Sequence, residues 1–221
     1  MEEKKFVQLK KEEFDVKEYV KNELGMGKIS SIKIEYTPIG EKIVIATSKP
    51  GFVIGRKGER IFQLTEDLRK KFKLENPNIE IQEIKKPEFD AQSVADEIAN
   101  SLERLGNLKF KIIAYKMLER TIRAGALGVE IRLSGKLPSE RAKSHRFAHG
   151  YLKKTGDTAK IVNRAEARAT TMLGTVGVKV GILPPDVIVH DQINVSKEMI
   201  DKIKINANRK EEVPKARKKK K

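Results

Sequence analysis

The stretch that decides the fold is residues 49–60, Lys-Pro-Gly-Phe-Val-Ile-Gly-Arg-Lys-Gly-Glu-Arg. Within it, Gly55 and Gly58 bracket the two cations Arg56 and Lys57. Glycine lets a backbone approach a ligand closely, because no Cβ stands in the way. The helical pattern that follows offers free N–H groups and the positive end of a helix dipole. Together these features predict a loop that binds a phosphate chain.

On both sides of this loop, the spacing of apolar residues predicts a definite order of helices and strands. Residues 11–24 have helical spacing, residues 29–36 alternate, and residues 43–46 form a second apolar strand. The connection between the two strands is short, so we expect them to be antiparallel. After the loop, helical spacing continues to Phe72, and residues 79–84 predict a third strand. The predicted order is helix, strand, strand, short helix, Gly-x-x-Gly loop, helix, strand.

This order resembles the KH fold in its type II arrangement (αββααβ), and residues 1–87 are assigned to it. In that fold the Gly-x-x-Gly loop clamps about four nucleotides of RNA backbone. A glycine-rich turn that merely joins two helices is the alternative interpretation. The RNA contacts expected at this loop and just after it are Gly55, Arg56, Lys57, Gly58 and Arg60.

A second unit follows a predicted linker at residues 87–92. Two helices are expected first, one ending at Gly106 and the next spanning about residues 109–124. From Gly128 the pattern alternates, and about four antiparallel strands are expected. The fold class is therefore α+β, with residues 88–190 as a C-terminal α+β domain.

The remaining residues, 191–221, are predicted to be an extension with a basic, disordered tail, which ends Arg-Lys-Lys-Lys-Lys. Such a tail suits contact with phosphates. A solubility tail is the alternative.

Cations of the second unit concentrate in two places. The helix at 109–124 carries a cationic stripe of Lys109, Lys116, Arg120 and Arg123 beside its apolar face. A solvated helix face is the alternative interpretation. Residues 139–155 are the densest basic segment before the tail, and the RNA contacts expected there are Arg141, Lys143 and Arg146. On the last strand, Gly177 and Gly181 face outward and predict close approach by RNA or a neighbouring chain.

Composition favours a polyanionic partner. The 221 residues include 47 Lys and Arg against 31 Asp and Glu, for a formal net charge of +16. A charge of this size says nothing about the fold, but it makes nucleic acid the first candidate ligand. Aromatic residues are only 5% and Trp is absent, which disfavours a single-strand binder that relies on base stacking.

Other classes of function find little support. Without Cys, disulfides, Cys-ligated zinc and thiol catalysis are excluded, and a cytoplasmic protein is expected. The sequence contains no run of about 18 apolar residues that could span a membrane. Its N-terminus lacks the apolar region of a secretion signal, so we do not expect secretion. The glycine loop lacks the P-loop pattern. His145 and His149 lie four apart, among cations that would repel a metal ion. We predict no catalytic residue, no cofactor and no metal.

Two stretches of the second unit carry a wider resemblance. Residues 128–143 read Gly-Val-Glu-Ile-Arg-Leu-Ser-Gly-Lys-Leu-Pro-Ser-Glu-Arg-Ala-Lys, and residues 174–183 read Gly-Thr-Val-Gly-Val-Lys-Val-Gly-Ile-Leu. With the KH loop and the two-helix start, they resemble the universal small-subunit ribosomal protein three family, in its archaeal or eukaryotic-like form. The resemblance covers about residues 5–190.

This resemblance implies a structural protein of the small-subunit head and not an enzyme. Members bind small-subunit rRNA, neighbour ribosomal proteins ten and fourteen, and line the mRNA entry channel of the cytoplasmic ribosome. Bacterial members grip mRNA with adjacent cations on the second helix of the C-terminal domain, where this chain has Phe110-Lys111-Ile112. The charge there would come from Lys111, Lys116, Arg120 and Arg123. Two alternatives stay open, a free KH-type RNA chaperone or regulator and a DNA-repair lyase acting on damaged DNA.

Overall fold

The computed structural model describes residues 2–187 apart from 26, 39, 73 and 75. The predicted tail at 191–221 lies outside the described residues. Five α-helices and seven strands lie in this described part, and the strands form two sheets, each with helices packed on it. The helices are α1 Glu2–Leu24, α2 Pro50–Ile54, α3 Glu59–Phe72, α4 Ala91–Leu105 and α5 Phe110–Arg123. The strands are β1 Ser31–Thr37, β2 Gly40–Thr47, β3 Asn78–Glu83, β4 Gly128–Gly135, β5 Lys143–Gly150, β6 Asn163–Thr171 and β7 Gly174–Leu183. The predicted α+β fold class is confirmed.

The N-terminal part has the element order αββααβ. Its sheet has the order β1-β2-β3, with β1 antiparallel and β3 parallel to β2. Apolar residues of α1 and α3 pack on one face of this sheet, because their helical stripes match its inward-facing Ile43 and Ile45. Val20, Ile43, Ile45 and Leu68 are fully buried. The type II KH arrangement expected from the sequence is therefore present.

The C-terminal part is a four-stranded antiparallel sheet in the order β5-β4-β7-β6. Helices α4 and α5 cover one face, so alternate residues of the central strands are buried against them. Ile131, Leu133 and Val178 of β4 and β7 are fully buried. Their neighbours along each strand point to the opposite face, which no helix of the described residues covers.

Two boundaries differ from the sequence prediction. Helix α1 begins at Glu2 and not at residue 11. Its first turns consist of residues with high helix propensity, but they bury no apolar face, and Phe6 is 62% exposed. The predicted linker at 87–92 is instead a short 3₁₀ turn, with Phe89 buried, and the start of α4. Asp90 caps α4 by accepting a hydrogen bond from the Ser93 N–H at 3.0 Å. The assignment of residues 1–87 and 88–190 to two domains stays a prediction, which the separate apolar clusters of the two sheets support.

No helix in the described part of the chain combines the length and the apolar character needed to cross a membrane.

One end of the C-terminal sheet depends on a buried side chain between α4 and α5. Asn107 is 6% exposed, and its Nδ2 donates to the Lys136 carbonyl at 2.9 Å and the Thr171 Oγ1 at 3.1 Å. These bonds join the helical turn to the loop after β4 and to the end of β6.

We expect Asn107→Ala to lower the free energy of unfolding by about 1–3 kcal/mol, because it leaves the Lys136 carbonyl without this partner. Urea denaturation would measure the change. Leu108→Ala is the matched control, since the adjacent Leu108 side chain is 81% exposed and should change stability by less than about 0.5 kcal/mol. Equal midpoints for both variants would contradict the role assigned to Asn107.

Candidate nucleic-acid interface

The glycine loop connects α2 to α3 through a single 3₁₀ turn, Arg56–Gly58. Gly55 has φ 74° and Gly58 φ 79°, both in the left-handed region. A Cβ on Gly55 would lie 2.7 Å from the Cβ of Arg60, so a larger residue does not fit. Lys57 has φ 52°, and among the described residues it is the one non-glycine with positive φ. Such a backbone costs roughly 1–2 kcal/mol, and this strain is typical of functional loops.

The two cations of this loop face solvent. Arg56 and Lys57 are exposed, and within the described residues their side chains make no hydrogen bond or ion pair. Arg60 is half-buried, and its Nη1 donates to the Phe52 carbonyl at 3.3 Å. A groove of about 620 Å³ runs beside the loop. Its lining residues are Gly51, Phe52, Gly55, Arg56, Glu59, Arg60 and Gln63. The structure therefore offers two unpaired positive charges in this loop, and Arg56 lines the groove.

The stripe on α5 is less uniformly positive than its sequence suggests. Lys111 and Lys116 are exposed. Arg120, in contrast, donates to both oxygens of Glu97 at 3.1 Å and to Glu88 at 3.1 Å. Arg123 donates to Glu119 of the same helix at 2.5 Å. Carboxylates thus offset Arg120 and Arg123, two of the four cations of the stripe. Lys116 of the stripe and the nearby Lys111 are the better RNA-binding candidates on α5.

Aromatic contacts place the basic segment of β5 beside α5. The Phe110 ring lies 4.8 Å from the His145 ring, and Tyr115 lies 5.1 Å from Phe147, between centroids. These contacts bring the first turn of α5 against the start of β5, where Lys143 is exposed. Arg141 is exposed in the turn just before it. His145 has a packing role here, on a strand and not on a helix.

Arg146 lies on the opposite face of β5, next to a buried carboxylate. Its Nε and Nη2 donate to Glu130 of β4 at 2.9 and 3.2 Å. Arg132 and Lys154 also bond Glu130, at 3.1 and 3.0 Å. Burial alone would raise the pKa of Glu130, but the hydrogen bonds and charges of Arg146 and Lys154 outweigh it and lower the pKa to about 2. This cluster is a functional candidate that the sequence analysis missed, although the alternation of β4 puts Glu130 and Arg132 on one face.

The prediction of open space at both outward glycines is wrong at Gly181. This residue is buried, and a Cβ there would lie 3.8 Å from side-chain carbons of Leu152 and Val162. The chain's own loop after β5 therefore covers the position. At Gly177 the nearest atom to such a Cβ is the Ser134 Oγ, at 3.1 Å.

Comparisons with known proteins match both parts of the chain. Residues 15–89 match the family described as KH domain, and residues 98–182 match Ribosomal protein S3, C-terminal domain. The chain is 42% identical to small ribosomal subunit protein uS3 of Methanocaldococcus jannaschii over 199 residues, which cover 90% of this chain and 95% of that protein. It is 40% identical to uS3 of Archaeoglobus fulgidus over 203 residues, which cover 91% and 87%. The uS3 of Methanococcus maripaludis strain C5 is 41% identical over 181 residues, covering 81% and 85%.

Proposed function

Because the chain belongs to the uS3 family of small ribosomal subunit proteins, we propose that it is assembled into the small subunit and holds small-subunit rRNA there. The family is one of structural proteins and not of enzymes, which agrees with the sequence prediction. Its ribosomal role is structural. The finer parts of the proposal concern how the RNA is held and what passes beside the protein.

The mechanism is multi-point binding of the phosphate backbone. Each Lys or Arg that meets a phosphate releases counterions, so affinity falls steeply as salt rises. The observation that carries this mechanism is the glycine loop, which presents Arg56 and Lys57 unpaired beside a groove. A backbone held open by two glycines admits a sugar–phosphate chain closely. The other proposed contacts are Arg60, Lys111, Lys116, Arg120, Arg123, Arg141, Lys143 and Arg146.

Helix α5 is proposed to line the mRNA entry channel. Lys111 and Lys116 give it exposed positive charge, while Ile112, 67% exposed, presents an apolar surface between them. This mixture suits a wall along which RNA slides, because the charge attracts phosphates without a dense set of bonds. Ribosomal proteins ten and fourteen of the small subunit are the proposed protein neighbours, by resemblance to the family. The proposed location is the cytoplasmic ribosome.

Sedimentation tests this function. Tagged chain expressed in an archaeal host should co-migrate with small subunits at moderate salt, because many phosphate contacts act together. High salt should release it, since counterion competition weakens every such contact. A chain that stays at the top of the gradient at moderate salt would overturn the ribosomal assignment and favour a free RNA chaperone.

A further inference from the structure

The face of the C-terminal sheet opposite α4 and α5, on which no described helix packs, carries a row of cations. In the strand register, Arg132 of β4 lies between Arg146 of β5 and Lys179 of β7. Neighbouring strands are about 4.8 Å apart, so the row is about 10 Å long. Like charges directly opposite one another destabilise a sheet. Two carboxylates offset the row only in part, since Lys179 pairs with Glu166 at 2.7 Å while Glu130 alone faces Arg132 and Arg146. This surplus of positive charge points to a ligand.

A buried carboxylate holds part of this row in place. Glu130, whose side chain is 11% exposed, bonds Arg132, Arg146 and Lys154 together. One negative charge against three positive ones leaves two positive charges. The three cationic side chains remain 49%, 53% and 50% exposed, and each has more N–H donors than Glu130 engages. An incoming anion would thus meet donors whose positions are already fixed, which lowers the entropy cost of binding.

The loop after β5 builds a groove onto this row. Arg164 of β6 donates to the carbonyl oxygens of Lys153 and Lys154 at 3.5 and 3.3 Å. Carbonyl partners leave the charge of Arg164 uncompensated. Beneath lies a groove of about 340 Å³, with Gly181 in its lining. The charged residues lining it are Glu130, Arg132, Lys154, Arg164, Glu166 and Lys179, four cations against two carboxylates.

The chemistry of this face selects the kind of ligand. The outward-facing positions of the four strands hold no aromatic residue, as the alternation from Arg132, Arg146, Arg164 and Lys179 shows. Sheets that bind single-stranded RNA stack bases on aromatic side chains. A sheet with cations and no aromatics can hold only the backbone, which double-stranded or folded RNA presents continuously.

We propose that this outer sheet face, defined by Arg132, Arg146, Lys154, Arg164 and Lys179, is a second RNA-binding surface, which holds the phosphates of double-stranded RNA. This proposal rests on the proposed function and deepens it, because it assigns two kinds of RNA to two different surfaces. The glycine loop holds single-stranded backbone, and the outer sheet face holds a duplex.

The test measures binding of the full-length chain to a 20-base-pair RNA duplex by fluorescence anisotropy at about 100 mM salt. Arg132→Gln combined with Lys179→Gln should weaken duplex binding at least 10-fold. The slope of log affinity against log salt should become shallower by the amount that about two lost phosphate contacts produce. Binding of a 12-nucleotide single strand should change less than 2-fold. Lys154→Gln, in a loop and half exposed, is a second variant that should weaken duplex binding without risk to the sheet.

Lys10→Gln with Lys17→Gln is the matched control. These residues flank Glu13 on α1 at 2.8 and 3.7 Å, so each of them, like Arg132 and Lys179, is paired with a carboxylate. The control removes the same charge and should leave duplex affinity within 2-fold. An equal loss in both pairs would reduce the effect to net charge and overturn the inference. Unchanged duplex binding with poorer assembly into subunits would assign the face to a protein partner and also overturn it. Failure of the unmodified chain to bind either RNA would instead refute the proposed function.

Discussion

Arg56→Glu combined with Lys57→Glu should weaken binding of the full-length chain to a 12-nucleotide single-stranded RNA about 100-fold at 100 mM salt. A hydrogen bond to a charged group contributes roughly 1.5–3 kcal/mol, and a loss of about 3 kcal/mol from two such bonds corresponds to about two orders of magnitude. Both side chains lack a bond to any other described residue, so the change breaks no internal contact. The slope of log affinity against log salt should also become shallower by about 1.4.

The same domain provides a control with identical residue types. Arg69 and Lys70 are adjacent cations near the end of α3, bonded to Asn76 and Glu66. Arg69→Glu with Lys70→Glu alters the net charge equally but lies far along the helix from the loop. If this pair weakens RNA binding as much as the loop pair does, binding follows net charge alone and the loop is no specific contact.

Gly58→Asp tests whether a phosphate of the RNA backbone lies next to the second glycine of the loop. Asp tolerates positive φ better than most residues, and a Cβ at Gly58 meets no atom within 4 Å. The variant should therefore fold, and its carboxylate would stand where a phosphate is expected. Circular dichroism would confirm folding, and anisotropy with the same RNA should show weaker binding.

Local signals allowed the glycine loop to be predicted from the sequence. Its residues are consecutive, and glycine, charge and the following helical period all indicate the same conformation. Strands such as β4 were predictable for a similar reason, since alternation in residues such as Val129, Ile131 and Leu133 reports burial directly. Strand β5 shows no such alternation, because one of its eight residues, Phe147, is buried. What the local pattern could not supply was the positive φ of Lys57, because residues other than glycine, asparagine and aspartate rarely adopt it.

Pairing between distant residues could not be predicted. Arg120 follows Glu88 by 32 residues and Glu97 by 23, so only the packing of α5 beside α4 shows that its charge is offset. The ion pairs of Glu130 were equally hidden from sequence analysis. Arg146 lies on the neighbouring strand and Lys154 in a loop, so only the folded structure brings them to Glu130. The sequence thus gives the number of cations, but it does not show which of them are paired with carboxylates and which remain available to RNA.

Gly128→Ala should destabilise the C-terminal domain by about 3 kcal/mol or more. Gly128 lies opposite Gly150 in the register of β4 and β5, and the Tyr151 N–H donates to the Leu127 carbonyl at 3.0 Å. A Cβ on Gly128 would lie 1.8 Å from the Tyr151 carbonyl oxygen and 2.4 Å from its carbonyl carbon. Both atoms are backbone, so relief requires the end of the hairpin to separate, and overpacking of this kind typically costs 1–3 kcal/mol or more. In a chain of this size, about 3 kcal/mol lowers the Tm by roughly 6–12 °C.

Gly51→Ala is the control for this prediction, because a Cβ there meets nothing within 4 Å and its backbone is helical. It should leave the Tm unchanged or raise it slightly, since alanine restricts the unfolded chain. The strand shift in Gly128→Ala should also move the loop that carries Lys154 away from Glu130, since Tyr151 begins that loop. Duplex RNA binding should therefore fall at temperatures where the variant is still folded, while binding of the single strand by the glycine loop persists. If Gly128→Ala and the unmodified chain have the same Tm, the close approach of Tyr151 to β4 does not constrain the hairpin. The position of Lys154 would then be fixed by other contacts.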